Sequence, residues 1–187
     1  IRHGNALQVN WEDVLPASEC TYIVGNPPFV GAKFLKPEQR KDVAKVMAGV
    51  PSFGLLDFVA CWHLLAARYI RTNPIVRVAL VSTNSICQGE QVGVLWPVLL
   101  EEGVHIHFAH RTFQWSNEGR GVAAVHCVIV GFGLVDSNEK IIFDYETLKG
   151  EPTVIEAHNI SPYLVDAPDI VVTNRSVPIC RVPKMLW

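Results

Sequence analysis

Apolar and polar positions follow one another along the chain in blocks that predict an α/β fold. Nearly continuous apolar stretches predict strands at Tyr22 to Gly25 and at Val76 to Ser82, and the second of these suits a buried parallel strand. Apolar residues recur at helical spacing from Leu56 to Ile70. A second helix is predicted from Gln91 to Leu100, where Pro97 requires a position in the first turn or a kink.

The second half of the chain is richer in strand patterns. Val104 to Ala109 alternates polar and apolar residues, and Ala123 to Phe132 is mainly apolar, so both are predicted strands. The polar link from Arg111 to Gly121 joins them into an antiparallel hairpin, and Lys140 to Tyr145 predicts one further strand. Near the start, the polar segment Pro37 to Met47 predicts a loop leading into a short helix. This order of elements predicts an α/β sheet that closes in an antiparallel hairpin.

One loop carries candidate chemistry, within the stretch YIVGNPPFVG. Prolines cannot donate to a sheet ladder, so the first strand must stop at Asn26. The rings of Pro27 and Pro28 fix their own φ and hold the preceding residues extended, which makes a stiff loop. In open α/β sheets ligands bind at the carboxyl ends of the strands, where this loop lies. It offers the Asn26 amide, two carbonyls and the Phe29 ring; a purely structural turn is the alternative interpretation.

Composition narrows the function classes only slightly. The 187 residues suit one domain with a real core, and a net charge of −2 gives no overall basic signature, so nucleic acid would need a local patch. No apolar run approaches the roughly 18 residues of a membrane span.

The chain starts at Ile1 without a Met, which we interpret as a piece of a longer protein. Odd in number and without a CxxC pair, the cysteines predict reduced core thiols of a cytoplasmic protein: Cys20, Cys61, Cys87, Cys127 and Cys180.

The loop and its neighbours resemble the amino-group DNA methyltransferases, adenine-specific enzymes that use S-adenosylmethionine. Within that family the chain resembles the methylase part of large fused type II restriction–modification proteins. That family has an Asn/Asp/Ser-Pro-Pro-aromatic loop after the fourth strand of a Rossmann-like sheet. The family loop matches Asn26, Pro27, Pro28 and Phe29, which the resemblance therefore implies are catalytic.

Further segments resemble the family in its own order and cover about residues 1 to 145. "RHGNALQVNW" places Asn5 where the family contacts the cofactor's adenine, and "GLLDFVACWHLLAARYI" places Asp57 and Phe58 near the cofactor. "VALVSTNSI" resembles the fifth strand. "FAHRTFQWSNEGRGVAAVHCVIVGF" resembles the hairpin with an aromatic residue near the flipped base, here Phe113 or Trp115.

The resemblance implies a partial class I methyltransferase fold made of the family's strands 4, 5, 7 and 6. Residues 1–150 would be the carboxyl-terminal part of the catalytic domain, and residues 151–187 would lead into a target-recognition region. The family's glycine-rich cofactor loop and ribose-binding acid are absent from this sequence, and "VGFG" at 130–133 ends a strand without a following helix. We therefore expect the isolated piece to be inactive and to bind S-adenosylmethionine weakly. We also expect the strand from Tyr22 to Gly25 to be an exposed edge that promotes self-association.

The residue types suit methyl transfer to an aromatic amine, whose lone pair is delocalised into its ring. The Asn26 oxygen and the Pro27 carbonyl would accept the amine's hydrogens and favour a more nucleophilic nitrogen. The adenine must leave the duplex to reach such a loop, where Phe29 would stack on it. Phe113 or Trp115 would cover its other face, although Trp115 suits a core anchor equally well.

Three loop cations are candidate phosphate contacts in double-stranded DNA, or equally solvated charges: Lys33, Arg111 and Arg120. Other activities stay open. The same loop serves methylation of a cytosine amine or of protein glutamine, and a degenerate methylase-like module would bind DNA or assemble without catalysis. No metal is expected, because His105 and His107 have no third ligand at a suggestive spacing.

Overall fold

The computed structural model contains a single six-stranded sheet with strand order β1-β2-β4-β3-β5-β6. It describes residues 1–115, 125–148 and 150–174, with only the backbone of Trp115 and Val125. The strands are β1 Tyr22–Gly25, β2 Arg77–Thr83, β3 His105–Trp115, β4 Val125–Gly133, β5 Lys140–Asp144 and β6 Thr153–Ala157.

Strand directions bring the carboxyl ends of four strands to one edge. β1 is parallel to β2, β4 is antiparallel to both β2 and β3, and β5 is parallel to β3. Strands β1, β2, β3 and β5 therefore end at the same edge. The segment order along the sheet confirms the predicted partial methyltransferase fold, with an antiparallel hairpin made by β3 and β4.

Within the described residues three α-helices connect the strands: α1 Pro37–Val46, α2 Ala60–Tyr69 and α3 Val92–Glu101. The prediction of a loop before the first helix was wrong, because α1 begins at Pro37 itself. Proline is favoured in the first turn of a helix, and the Gln39 side chain accepts a hydrogen bond from the Lys36 N–H at 2.9 Å. The polar composition of this segment reflects exposure of most of α1 rather than an irregular backbone.

The other two helices also differ from their predicted bounds. α2 begins at Ala60 rather than Leu56, and the Phe58 N–H instead donates to the Val30 carbonyl at 2.9 Å. Pro97 lies inside α3 rather than in its first turn. Since proline has no N–H, α3 lacks one of its internal hydrogen bonds at that point.

The helix layer packs on one face of the sheet through buried polar as well as apolar side chains. His63 of α2 is fully buried, lies 3.4 Å from the Ser82 hydroxyl and stacks on Phe132. Ser82 and Phe132 therefore mark the helix-covered face of β2 and β4. At the end of the sheet, Tyr22 and Val24 of β1 are 65% and 79% exposed, which leaves an apolar flank on this edge strand.

The cysteines inside the described residues are buried: Cys20, Cys61, Cys87 and Cys127. Burial raises the pKa of the Cys61 thiol to about 12, which makes it a poor nucleophile. Cys180 lies outside the described residues. Within the part of the chain that the structure describes, no helix is long and apolar enough to cross a membrane.

Candidate active site

The Asn-Pro-Pro-Phe loop leaves the sheet directly after β1. Asn26 is exposed, the Pro27 ring is buried, Pro28 is exposed and Phe29 is half-buried against the core. Within residues 1–115, 125–148 and 150–174, neither the Asn26 amide nor the Pro27 carbonyl has a hydrogen-bond partner in the protein. Both acceptor oxygens are therefore available to a substrate, on a backbone that proline holds rigid.

Gly25 allows the loop to begin close to the core. Its register partner in β2 is Leu80, and a Cβ on Gly25 would lie 3.2 Å from a methyl carbon of that residue. Contacts this short require the neighbour to move, so a larger residue here would displace Leu80 or the loop. The small residue before Asn26 thus sets how near the loop lies to the second strand.

Asp57 joins the loop to the ends of neighbouring elements. Its carboxylate accepts the Ala32 N–H at 3.0 Å and the Thr83 hydroxyl at 3.1 Å, while its own N–H donates to the Gln91 side chain at 3.1 Å. Ala32 follows the Asn-Pro-Pro-Phe loop, Thr83 ends β2 and Gln91 precedes α3. We call these four residues the Asp57 junction. Asp57 is only 7% exposed, so these bonds lie largely shielded from water.

An open cavity of about 810 Å³ lies beside the junction. Its wall combines polar groups from the turns after β2 with the cations Lys33 and Arg40, and Phe34 lies at the wall with 82% exposure. The cavity is lined by Gly31, Ala32, Lys33, Phe34, Arg40, Gly54, Leu55, Asp57, Asn84, Ser85, Gln88, Gly89, Glu90 and Gln91. It is large enough for a nucleotide-sized group.

The predicted cofactor residues Asn5 and Phe58 have protein contacts of their own. Asn5 donates to the Asp42 carboxylate at 2.8 Å, and its oxygen accepts the Leu7 N–H at 3.0 Å. Phe58 is buried, with its ring edge-on to Trp62 at a centroid distance of 5.2 Å. These residues fit one part of an S-adenosylmethionine site: Asn5 is exposed and retains unused acceptor capacity, and Phe58 lies directly under the loop through Val30.

The hairpin residues are arranged differently from one another. Phe113 is half-buried in an aromatic cluster, with its ring 5.4 Å from Tyr145 and 6.3 Å from His110. Arg111 pairs with Asp144 at 2.9 Å, so its cation already has a carboxylate partner. The Trp115 side chain and Arg120 lie outside the described residues. Because β1 and β3 end at one sheet edge, the last described residues of β3 and the Asn-Pro-Pro-Phe loop share that edge.

Sequence reasoning missed Thr83, Gln91 and Arg40. Thr83 was predicted to follow the second strand but is its last residue, and its hydroxyl faces Asp57. A threonine at a strand end opposite an aspartate at a helix start gives no signal without the fold. Arg40 lies in the segment Pro37 to Met47, which was predicted in part as a loop and therefore was not expected at the cavity. Among the described residues, no group of three or more His, Cys, Asp or Glu is placed to hold a metal ion.

Comparisons with known proteins agree with this geometry. The family model for the MmeI DNA-methyltransferase domain matches residues 1–144. DNA methyltransferase A of Bacillus subtilis (strain 168) is 42% identical over 188 residues, a match that covers 99% of this chain and 21% of that protein. The solved structure of the type IIL restriction–modification enzyme MmeI in complex with DNA is 55% identical, with a TM-score of 0.94. It covers 97% of this chain and 24% of the MmeI chain. The chain, which spans a minor part of each of these relatives, belongs to the MmeI DNA-methyltransferase domain family.

Proposed function

We propose that the parent of this chain transfers a methyl group from S-adenosylmethionine to the exocyclic amine of adenine in double-stranded DNA, as part of a restriction–modification protein. One observation carries the proposal: the Asn26 amide and the Pro27 carbonyl are unpartnered acceptors on a proline-fixed loop, at the edge where β1, β2 and β3 end. This statement concerns the described residues. Membership of the MmeI methyltransferase family supports the proposal.

In this mechanism the two acceptors act on the amine. The Asn26 side-chain oxygen and the Pro27 carbonyl accept its hydrogens and direct the nitrogen lone pair toward the methyl donor. S-adenosylmethionine supplies that methyl group as an electrophile on a sulfonium. The amine loses its extra proton after transfer, so no strong base is needed beside Asn26. Phe29 stacks on the extruded base, with Phe113 or Trp115 proposed for the opposite side.

The remaining assignments follow from the family. Asn5 and Phe58 are proposed to contact the cofactor's adenine, with Asp57 nearby. Lys33, Arg111 and Arg120 are proposed to meet DNA phosphates. Of the two described cations, Lys33 is exposed at the cavity, whereas Arg111 would have to leave Asp144 to reach a phosphate. Residues 1–150 are proposed as the catalytic part and 151–187 as the lead into target recognition.

Product analysis of the full-length parent tests this function. DNA methylated by the purified protein would be digested to nucleosides and separated by mass. N6-methyladenine is expected. N4-methylcytosine, or methylation of a protein instead of DNA, would replace the adenine assignment with one of its alternatives. A parent that binds DNA without methylating it would support the degenerate module.

We further propose that the isolated 187-residue piece is catalytically inactive and self-associates through β1. Tyr22 and Val24 form an exposed apolar flank on an edge strand, and such edges pair with other chains. Sedimentation of the piece and of its Val24→Lys variant tests this. A concentration-dependent dimer that the variant abolishes is expected, whereas monomers of both would contradict it.

A further inference from the structure

We infer that Asp57 is a positioning residue for the catalytic loop, acting through Ala32, and that Thr83 and Gln91 hold Asp57 in place. This inference rests on the proposed function, because it assumes that Asn26 and Pro27 act on the amine. It differs from the role that the family resemblance gives to Asp57, which is proximity to the cofactor. The hydrogen bonds of the Asp57 junction favour the positioning role over contact with the cofactor.

Both carboxylate oxygens of Asp57 are already committed to the protein. One accepts the Ala32 N–H and the other the Thr83 hydroxyl, at 3.0 and 3.1 Å. A charge-assisted hydrogen bond donated to a buried carboxylate is stronger than a neutral one, and removing the carboxylate leaves its donors unpaired. Because Asp57 is also only 7% exposed, little of its remaining acceptor capacity can reach a ligand, which favours the positioning role.

The bonded partners lie on either side of the site. The Ala32 N–H is the anchor point at the exit of the catalytic loop, and Thr83 is the last residue of the strand that pairs with β1. Two further bonds hold the same region, from Phe58 N–H to Val30 and from Asp57 N–H to Gln91. The loop is thus fixed at its entry by β1 and at its exit by Asp57. Rigid placement matters here, since a misplacement of about 1 Å can cost about 100-fold in rate.

Substitution of Asp57 in the full-length parent tests the inference. In Asp57→Ala we expect kcat to fall by about 10- to 100-fold while the dissociation constant of S-adenosylmethionine, measured by calorimetry, changes by less than about threefold. Asp57→Asn should recover most of kcat. Its amide oxygen can accept the Ala32 N–H, and its NH₂ can donate to the Thr83 hydroxyl, which is able to reverse its role.

Thr83→Val provides a second variant that keeps the side-chain shape and removes one bond. It should lower kcat less than Asp57→Ala, and the double variant should be no worse than Asp57→Ala alone, because both act through one carboxylate. If the reductions in kcat of the two single variants multiply in the double variant, Thr83 acts independently of Asp57. That result would contradict the inferred role of Thr83.

Hydrogen exchange gives a readout independent of catalysis. The Ala32 amide should lose protection in Asp57→Ala and keep it in Asp57→Asn. Asp42→Ala is the matched control for exchange, because Asp42 is also 7% exposed and also accepts two side-chain hydrogen bonds, yet does not contact this loop. It should leave the Ala32 amide protected.

The outcomes also separate this inference from the proposed function. If Asp57→Ala weakens S-adenosylmethionine binding by about tenfold or more at unchanged kcat, Asp57 is a cofactor ligand and the inference is overturned. Unchanged protection of the Ala32 amide would overturn it as well. A wild-type parent without any methylation activity would instead contradict the proposed function, while the exchange result at Ala32 would still report whether Asp57 fixes the loop.

Discussion

Two asparagines in this chain, Asn5 and Asn26, are both assigned to the active site by family resemblance, yet their surroundings differ. The Asn5 amide donates to the buried Asp42 carboxylate and its oxygen accepts the Leu7 N–H. The Asn26 side chain has no protein partner among the described residues, although it follows a strand and precedes a buried proline ring. Asn5 therefore contributes to the fold, whereas the Asn26 amide is left without a protein partner among the described residues, as its proposed role on a substrate requires.

The difference between the two asparagines follows from which groups the neighbouring aspartates bond. Near Asn26 the polar bonds come from Asp57 and fix the backbone after the loop, while the Asn26 side chain itself makes no hydrogen bond within the described part of the chain. Near Asn5 the polar bonds come from Asp42 and fasten the amino-terminal segment onto α1. Asp57 thus fixes the backbone next to the Asn-Pro-Pro-Phe loop, and Asp42 fixes the amino-terminal segment, although both aspartates are equally buried.

The largest effect is expected at Asn26. In the full-length parent, Asn26→Ala should lower methyl transfer by about 1000-fold or more, because it removes an acceptor needed only in the transition state. Stability should hardly change, since the exposed amide makes no hydrogen bond to the described residues. Turnover of labelled S-adenosylmethionine and thermal unfolding are the two measurements. Near wild-type turnover would remove Asn26 from the catalytic assignment.

A smaller effect is expected from pH, and it comes from the core rather than from either asparagine. Burial lowers the pKa of His63 to about 4, from 6.5 when unperturbed. The unfolded chain therefore takes up this proton first as pH falls. The stability from a neutral His63 is fully present above pH 6.5 and is lost as pH falls toward 4, by about 1.4 kcal/mol per pH unit.

Urea unfolding of this chain at about pH 7.5 and about pH 5 measures that decrease in stability, which should be about 2 kcal/mol from His63. In His63→Gln this part of the pH dependence should disappear, although the variant is less stable at neutral pH. Asn5→Ala should retain it in full. An equal pH dependence in wild type and His63→Gln would place the titrating group elsewhere.

Much of this architecture was predictable from pattern alone, and the exceptions have physical causes. The strand Tyr22–Gly25 was predicted with its observed bounds, because Pro27 and Pro28 end it unambiguously. β3 runs to Trp115, well beyond the predicted Ala109, because pairing with β4 keeps polar residues extended. Pairing of this kind depends on the partner strand and leaves no periodicity in the sequence.

The site was predictable at Asn26 and much less so around it. The Asn-Pro-Pro-Phe motif is contiguous, so its chemistry can be read from four adjacent residues. The Asp57 junction gathers residues that are up to 59 positions apart in sequence, from Ala32 to Gln91. His126 is exposed despite its apolar neighbours, because it lies near the start of β4. Tertiary contacts of this sort appear only once the strands are paired.

A direct comparison of Asn5 with its neighbour Gln8 sharpens the contrast. Both side chains donate to Asp42 at 2.8 Å, one to each carboxylate oxygen. Asn5→Ala and Gln8→Ala should therefore each cost about 1 kcal/mol of the free energy of unfolding. If Asn5 also contacts the cofactor, only Asn5→Ala should raise the dissociation constant of S-adenosylmethionine in the parent. Equal effects of both variants on that constant would reduce Asn5 to an anchor of the amino-terminal segment.

The smallest effect is expected at the cavity beside the junction, where Lys33 and Arg40 lie exposed. If both meet phosphates, replacing them with glutamine should weaken DNA binding by the parent and lower the salt dependence of the binding constant. The logarithmic slope should change by about 0.9 for each phosphate that the protein no longer neutralises. kcat at saturating DNA should stay unchanged, since neither cation is proposed to touch the reacting amine.

Arg77→Gln is the matched control, because Arg77 is exposed at the start of β2, the opposite end from Thr83. If Arg77→Gln alters the salt slope as much as the cavity variants do, DNA is not restricted to the edge that carries Asn26. A slope that is unchanged in the Lys33 and Arg40 variants would exclude these two cations as phosphate contacts and leave the proposed contact of the Asn-Pro-Pro-Phe loop with the flipped base.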